Sequence, residues 1–206
     1  MYIPEYHRPK DDAVAVEFMK ANPFAIVVSA AGAAPFATHI PVLVSEAGGR
    51  ITLRGHIARA NSHWNRLEHE PQTLVIFHGP HAYVSPRWYE SRNGVPTWNY
   101  AAVHASGQAR VFSDPERLTE VLLETISAFD PGYLEQWRGL SEDLRTKMLS
   151  QIVGVTIAVE KLEAKFKLSQ NRSRTDQSRV IEALDRSEDS AAAGVAKLMK
   201  DQGLGL

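Results

Sequence analysis

The feature that most constrains this chain is a run of sixteen residues, Thr97–Phe112, in which small and large side chains alternate. Its odd-numbered positions are mostly small and apolar, whereas its even-numbered positions, Ala102 excepted, are large or polar. Because successive side chains of a strand point to opposite faces, the alternation predicts one long strand. One face of this strand suits the interior of a tight barrel, and the other presents Trp98, Tyr100 and His104.

The alternating run closes a longer stretch, residues 77–107, that is rich in aromatic side chains and interrupted by Pro80, Pro86 and Pro96. Proline fixes φ and removes a backbone donor, so each proline predicts a turn, a strand end or a bulge. Aromatic residues dominate the energetics of cores and interfaces, so packing explains the stretch as well as a ligand pocket does.

Further strands and helices follow from hydrophobic periodicity and turn residues. The strands are predicted at residues 24–30, 36–44, 51–57, 73–78 and 152–159, with a turn at Gly32 between the first two. The helices are predicted at residues 12–21, after Asn61, after Ser113, and at 142–151, 175–185 and 189–201, the last alanine-rich and expected to fray. Six or seven strands in hairpin order with flanking and C-terminal helices indicate an α+β protein built on an antiparallel barrel.

The composition excludes several classes of protein. The chain has 206 residues, 44% of them hydrophobic, a net charge of −1 and no cysteine, so disulfides and cysteine-ligated metals are excluded and a generally basic nucleic-acid-binding domain is disfavoured. No apolar run reaches membrane-spanning length and the first ten residues lack a signal-peptide pattern. A cytoplasmic protein with no membrane partner is expected.

A candidate anion site lies where the strand at residues 51–57 meets the helix capped by Asn61. Arg54 and His56 share the face of that strand opposite its apolar residues, and Arg59 follows just before the helix. Unpaired N–H groups at a helix start favour an anion, and arginines add charge-assisted bonds. A pair of solvated arginines remains the alternative.

Three chemistries compete for the remaining polar residues. A phosphate-bearing aromatic ligand would use the anion site, with Lys167 and Arg172 adding charge and with His39, Trp98 or Tyr100 beside a flat ring. The histidines at positions 56, 63, 78, 81 and 104 lack the spacing of a metal or haem site, so no metal is expected. Nucleophilic catalysis is not expected either, because GxSxG is missing.

Motifs along the chain carry a family resemblance. They are MYIP at 1–4, NPFA at 22–25, PFATHIP at 35–41, LRGHIARAN at 53–61, IFHGPHAYVSPRWY at 76–89, VPTWNYAAVHA at 95–105 and KFKLSQNRS at 165–173. The chain resembles the PaiB-like FMN-binding negative transcriptional regulators, which are similar to the pyridoxine-oxidase-like split-barrel flavoproteins.

The resemblance implies a split-barrel homodimer with FMN at the subunit interface. It assigns cofactor binding to Thr38, His39, Arg54, Gly55, His56, Arg59, Asn61, Lys167, Ser169, Gln170 and Arg172. In this assignment, RGHIARAN holds the phosphate, THIP runs beside the isoalloxazine, and KLSQNR closes the site from the other subunit. A ligand pocket is assigned to His78, Tyr83, Trp88, Trp98 and Tyr100.

Two functions follow from the resemblance. One is a regulator or flavin redox sensor, and the alternative is an FMN-dependent oxidoreductase that acts on a small molecule. Direct DNA binding through the basic segment 165–179 is a third possibility, although no helix-turn-helix pattern supports it. The FMN-binding domain is predicted to span residues 1–172, followed by a helical extension at 173–206.

Overall fold

In a computed structural model, which describes residues 1–30, 34–91 and 94–205, seven antiparallel strands form one sheet. The strands are β1 (Phe24–Ser29), β2 (Phe36–Pro41), β3 (Leu43–Ala47), β4 (Arg50–Ala58), β5 (Gln72–Val84), β6 (Thr97–Phe112) and β7 (Ile152–Lys167). The helices are α1 (Asp12–Ala21), α2 (His63–His69), α3 (Pro115–Phe129), α4 (Tyr133–Gly139), α5 (Glu142–Leu149), α6 (Arg174–Asp185) and α7 (Ser190–Asp201). The α+β class is confirmed, and the turn expected at Gly32 lies outside the described residues.

The sheet closes at a corner around Val42. This residue alone separates β2 from β3, yet the two strands stand at opposite ends of the order β2-β1-β5-β6-β7-β4-β3. A flat sheet cannot bring both of its edges to one residue, so the sheet curls into a barrel. The prediction of a single strand at 36–44 is wrong, because Pro41 ends β2 and has no N–H to continue the pairing.

The long strand predicted from alternation is confirmed as β6. Its odd-numbered side chains from Asn99 to Ala109 are buried, and those between them are half-buried. Trp98 is 52% exposed and Tyr100 is half-buried, so both aromatic residues lie on the outward face as expected.

Pro80 lies inside β5, where the alternation slips by one residue. Before it, the odd positions up to Gly79 are buried, whereas after it the even positions Ala82 and Val84 are buried. Such a slip is typical of a β-bulge, one of the three features that a proline here predicted. As a result, His78 and His81 are both exposed, although they are three positions apart and would point to opposite faces of a regular strand.

The chain groups into two compact units, and three long strands have residues in both. Unit 2 comprises residues 19–77 and 104–162. Its core includes Val27, Leu53, Ile57, Val75 and Phe77, all almost fully buried. A second cluster, formed by Phe112, Leu118, Val121 and Leu149, packs under α3 and α5.

Unit 1 comprises residues 1–18, 78–103 and 163–206. Phe18 and Phe166 pack with their ring centroids 5.1 Å apart. Leu168, Leu184 and Met199 of the same unit are almost fully buried. The expected fraying of α7 is wrong, because its apolar face is buried. Both C-terminal helices fall in this unit, whereas a domain boundary at residue 172 stays a prediction.

None of the helices in the described part of the chain is both long and apolar enough to cross a membrane.

Candidate functional site

The outward face of β4 carries Arg54 and His56, as the alternation predicts. Both are half-buried, whereas Leu53, Gly55 and Ile57 between and beside them point inward. The Arg54 guanidinium lies 2.8 Å from Glu124 Oε2 of α3, with 30% of its side chain exposed. Burial lowers the pKa of His56 below its ordinary value, because the charged imidazolium is disfavoured away from water.

Gly55 lies where β4 meets the corner of the barrel. A Cβ at this position would lie 2.9 Å from the carbonyl oxygen of Pro41, which is closer than side chains tolerate. His39, also assigned to the cofactor, is exposed on β2, and its ring centroid lies 6.0 Å from that of Phe24 in a stacked arrangement. Of the THIP motif, the ring of His39 is therefore available at the surface of unit 2.

Arg59 holds the turn after β4 in place. Its Nε donates to the Ser150 carbonyl (2.8 Å), and its Nη2 donates to the Ile152 carbonyl (3.0 Å) and to Ser113 Oγ (3.2 Å). The backbone N–H of Arg59 donates to the Gln151 carbonyl (2.7 Å). Arg59 thus has a structural role. The position of Arg59 just before a helix did not indicate this role.

A hydrogen-bond network that is buried at His63 and partly exposed at Thr38 and Asn61 joins β1, β2 and the start of α2. Thr38 Oγ1 accepts from Asn61 Nδ2 (3.2 Å) and lies 2.8 Å from His63 Nδ1. The other ring nitrogen of His63 lies 3.0 Å from Ser29 Oγ, and Asn61 Oδ1 accepts from the His63 N–H (3.0 Å). The prediction that Asn61 caps this helix is wrong, because the N-cap is Ser62, and Asn61 binds the first helical N–H from one position earlier. Two of the assigned cofactor residues, Thr38 and Asn61, are bonded to each other and to His63.

His63 is the residue of this network that the cofactor assignment missed. It is fully buried, and burial followed by the positive charge of Arg66 lowers its pKa. A neutral ring can bridge two hydroxyl groups, since one nitrogen donates and the other accepts. The sequence holds only one signal for this role, a histidine two residues after the asparagine that was predicted to cap the helix.

In unit 1, the end of β7 and the turn after it form a second polar cluster. Lys167 Nζ donates to Thr97 Oγ1 and to the Trp98 carbonyl (2.5 Å). Ser169 has a φ of +65°, and its hydroxyl lies 2.9 Å from Asn99 Nδ2. Gln170 Oε1 accepts from the Leu168 N–H (2.8 Å), so the KLSQNR turn is held by its own side chains.

A cavity of about 200 Å³ opens beside this turn. Its lining consists of Tyr6, His7, Tyr89, Val95, Thr97, Asn99, Lys167, Ser169, Asn171 and Arg172. Three of the four residues assigned from KLSQNR line it, and Gln170 lies behind them with His7 Nδ1 3.0 Å from its Oε1. The cluster brings these residues together, as the resemblance implies.

Several of the residues assigned to a ligand pocket form an exposed aromatic face in unit 1. The ring centroids of Tyr83 and Trp98 are 6.3 Å apart, and His81 lies 5.9 Å from both Trp98 and His78. Tyr83 is 49% exposed. Tyr100 lies under the Lys165 ammonium group instead, 5.6 Å from it, and Trp88 is half-buried in the single turn Pro86–Trp88.

Among the described residues, no three histidine, aspartate or glutamate side chains are grouped so that they could hold a metal ion.

Comparisons with known proteins agree with the motifs. A family model described as "Putative FMN-binding domain" matches residues 1–161. The chain is 39% identical over 204 residues to "Protease synthase and sporulation protein PAI 2" of Bacillus subtilis (strain 168), with 98% of each chain covered.

Two solved structures share the fold. The flavocytochrome Anf3 from Azotobacter vinelandii is 20% identical with a TM-score of 0.61, over 80% of this chain and 72% of that one. The FAD and heme binding protein from Mycobacterium smegmatis is 16% identical with a TM-score of 0.58, over 77% and 72% of the two chains. The resemblance drawn from the motifs is confirmed: the chain belongs to the FMN-binding domain family, has FMN as its cofactor and adopts the split-barrel fold.

Proposed function

We propose that this FMN-binding protein is a homodimeric regulator whose signal is the state of its flavin. The observation that carries the proposal is the identity of 39%, over nearly the full length of both chains, with a Bacillus subtilis protein named for protease synthesis and sporulation. The flavin then supplies redox chemistry, and the protein positions it and transmits its state.

The residues of unit 2 fit the phosphate end of FMN. A phosphate needs cationic and N–H donors. β4 offers Arg54, which is partly exposed, and Arg59 follows directly after the strand. In the proposal, Arg54, Gly55, His56, Arg59 and Asn61 bind the phosphate end. Thr38 and His39 lie beside the ring system. A phosphate must compete with Glu124 for Arg54, so binding of FMN frees this carboxylate.

In the same proposal, a second copy of the chain completes the site. The residues assigned from the resemblance are Lys167, Ser169, Gln170 and Arg172, and the exposed face of Tyr83 and Trp98 is the proposed contact between copies. Aromatic side chains that are half exposed in one chain are typical anchors of such interfaces.

Regulation without direct DNA contact is favoured by the partners of the basic segment 165–179. The Lys165 ammonium lies between the rings of Tyr2 and Tyr100, at 5.5 and 5.6 Å, and the Arg179 guanidinium lies 3.6 Å from Glu90. Lys167 donates within its own unit. These side chains do not form the solvated basic stripe that binds phosphates along a duplex.

The experiment is a titration of the purified protein with FMN, followed by visible absorption, light scattering and melting temperature. We expect one flavin per chain, a dimer mass and an FMN-dependent rise in melting temperature. A monomer that binds FMN with full affinity would contradict the shared site. A gel shift that depends steeply on salt would contradict regulation without DNA contact.

An FMN-dependent oxidoreductase is the second candidate, and the cation-lined cavity of unit 1 is the observation that favours it. Binding of a small substrate would explain why two cationic side chains, Lys167 and Arg172, line this cavity. The two candidates differ in turnover: an oxidoreductase bleaches its flavin rapidly with NAD(P)H and reoxidises it with a substrate, whereas a regulator changes state without multiple turnovers.

A further inference from the structure

The buried ring of His63 sets the direction of the hydrogen bonds around the Thr38 hydroxyl. His63 Nδ1 lies 2.8 Å from Thr38 Oγ1, and Nε2 of the same ring lies 3.0 Å from Ser29 Oγ. Both distances are those of ordinary hydrogen bonds. A neutral imidazole donates through one nitrogen and accepts through the other, so the position of its single proton determines the direction of both bonds.

The ring of His63 is neutral near pH 7. Burial, followed by the positive charge of Arg66, lowers the pKa of this histidine below its ordinary value of 6.5. Its two hydroxyl partners, Thr38 and Ser29, carry no negative charge that would favour the imidazolium. His63 therefore carries one proton, on either Nδ1 or Nε2.

Ser29 decides between the two ring nitrogens. Its side chain is fully buried, and among the described residues its hydroxyl has no acceptor except His63 Nε2. If Nε2 carried the proton, the O–H of Ser29 would be left in the protein interior without an acceptor, which is costly. Ser29 thus donates to Nε2, and the proton of His63 is on Nδ1.

Thr38 Oγ1 then accepts two hydrogen bonds. One comes from His63 Nδ1, and the other comes from Asn61 Nδ2 at 3.2 Å. A hydroxyl oxygen has two lone pairs, so both are used by these donors. The remaining capacity of Thr38 is its O–H, for which the described residues offer no acceptor.

The threonine end of this network is open, whereas the serine end is closed. Thr38 and Asn61 are half-buried, whereas Ser29 and His63 are fully buried. The bonds to Thr38 are accordingly only partly buried, and the bond between His63 and Ser29 is buried. A ligand can therefore reach the hydroxyl of Thr38 but not that of Ser29.

We propose that His63, fixed by Ser29, is a positioning residue that makes the Thr38 hydroxyl a hydrogen-bond donor to the bound flavin. The acceptor belongs to the part of FMN that riboflavin shares, in which ring carbonyls and unprotonated ring nitrogens accept hydrogen bonds. The inference rests on the proposed position of Thr38 beside the ring system. It goes beyond that position, because it fixes the direction of the bond and gives His63 a role in cofactor binding.

The position of the proton can be measured directly. Nitrogen NMR of the flavin-free, full-length protein with isotope-labelled histidine distinguishes protonated from unprotonated ring nitrogens. We expect the proton of His63 on Nδ1 near neutral pH, with its signals assigned through contacts to Thr38 and Ser29. A proton on Nε2 would overturn the proposal, because the Thr38 hydroxyl would then donate to the histidine.

Thr38→Val and Thr38→Ser test the bond to the flavin. Valine keeps the shape of threonine without a hydroxyl, whereas serine keeps the hydroxyl. In fluorescence titrations, Thr38→Val should weaken the binding of FMN and of riboflavin about fivefold each, as for one neutral hydrogen bond. Thr38→Ser should bind both nearly as the wild type does. Unchanged affinity in Thr38→Val, or a loss for FMN alone, would contradict the proposed bond.

His63→Gln tests whether the histidine acts through Thr38. The carbonyl oxygen of glutamine can accept the O–H of Thr38, so this hydroxyl no longer has a fixed direction. We expect riboflavin affinity to fall about threefold in the wild-type background and to change little in the Thr38→Val background, because the two residues act as a unit. Losses that add in the double variant would overturn the proposal. His69→Gln, exposed in the same helix, is the matched control and should bind riboflavin as the wild type does.

The outcomes separate this inference from the proposed function. If melting shows that His63→Gln does not fold, the proton position and the two Thr38 variants still decide the proposal. A protein that binds FMN with full affinity as a monomer would count against the proposed function alone, because the proton of His63 is located without flavin.

Discussion

Arg54 and Arg59 are five positions apart and have the same chemistry, yet their partners give them different roles. Arg54 meets a single carboxylate in a partly exposed ion pair, and a pair that water still reaches contributes about 1 kcal/mol or less. Arg59 donates three side-chain hydrogen bonds that connect the turn after β4 to residues near the ends of α5 and β6 and to the start of β7. We therefore expect Arg54 to matter for the ligand alone, and Arg59 to matter for the fold as well as for the phosphate.

Arg54→Ala should weaken FMN binding about tenfold while leaving riboflavin affinity nearly unchanged, because only FMN carries the phosphate. Arg59→Ala should lower the free energy of unfolding by about 1–2 kcal/mol through the lost hydrogen bonds. Flavin fluorescence titrations and urea unfolding measure the two effects. Equal loss of FMN and riboflavin in Arg54→Ala would mean that this arginine does not bind the phosphate.

At the scale of an element, Gly154 shows how tightly β7 packs against the end of β6. A Cβ at this position would lie 2.2 Å from the ring of Phe112. That ring is buried in the cluster under α3, with the Arg117 guanidinium 4.0 Å above it. The glycine thus makes room for the aromatic side chain that attaches α3 to the barrel.

Gly154→Ala should lower the free energy of unfolding by about 1–3 kcal/mol, as is typical of overpacking a core. Adding Phe112→Leu should restore part of the loss, because a smaller side chain leaves space for the new methyl group. The control is Gly139→Ala at the end of α4, where nothing lies within 4 Å of the new Cβ. Additive losses in the double variant, measured by urea unfolding, would contradict a direct clash.

Sequence patterns predicted the elements that have one apolar and one polar face. They failed where contacts with residues distant in the sequence determine the local structure. Alternation predicted β6 over its full length and the outward position of Arg54 and His56. It could not predict the break at Val42, which depends on the closure of the barrel, or the helix Tyr133–Gly139, whose short sequence has one buried aromatic residue, Trp137.

The candidate site divides in the same way. The motifs named Thr38 and Asn61, which the structure brings together, and the residues of the KLSQNR turn, which are neighbours in the sequence. The sequence did not indicate that Arg59 is occupied by carbonyl groups, that His63 joins Thr38 to Ser29, or that Tyr89 has an unpartnered hydroxyl. These features depend on contacts between residues that are 25 to 93 positions apart, or on the lack of one.

For the whole molecule, three histidines make stability depend on pH. Burial lowers the pKa of His7, His56 and His63 below 6.5, the ordinary value for histidine. Between that value and the lowered ones, the unfolded chain binds more protons than the folded chain, so acidification favours unfolding. Stability is then greatest above pH 6.5 and falls as the pH drops through this window.

We expect the urea midpoint to fall between pH 7.5 and pH 5.5, and the dependence to weaken when all three histidines are replaced by glutamine. Glutamine keeps hydrogen-bonding capacity but does not titrate. A wild-type midpoint that stays constant over this range would contradict the prediction, as would a triple variant with the same slope. The range stops at pH 5.5 so that protonation of carboxylates contributes little.

The slip at Pro80 has a consequence for insertions and deletions. His81 and Tyr83 face outward because the bulge at Pro80 adds one residue to β5 and so shifts the alternation of every later side chain. Deleting Pro80 would turn His81 and Tyr83 into the barrel and would expose Ala82 and Val84, although no other residue had changed. Single substitutions on this outer face should therefore be tolerated far better than the loss of one residue. Insertions or deletions in β5 should be tolerated only when they add or remove two residues, because the alternation then stays the same.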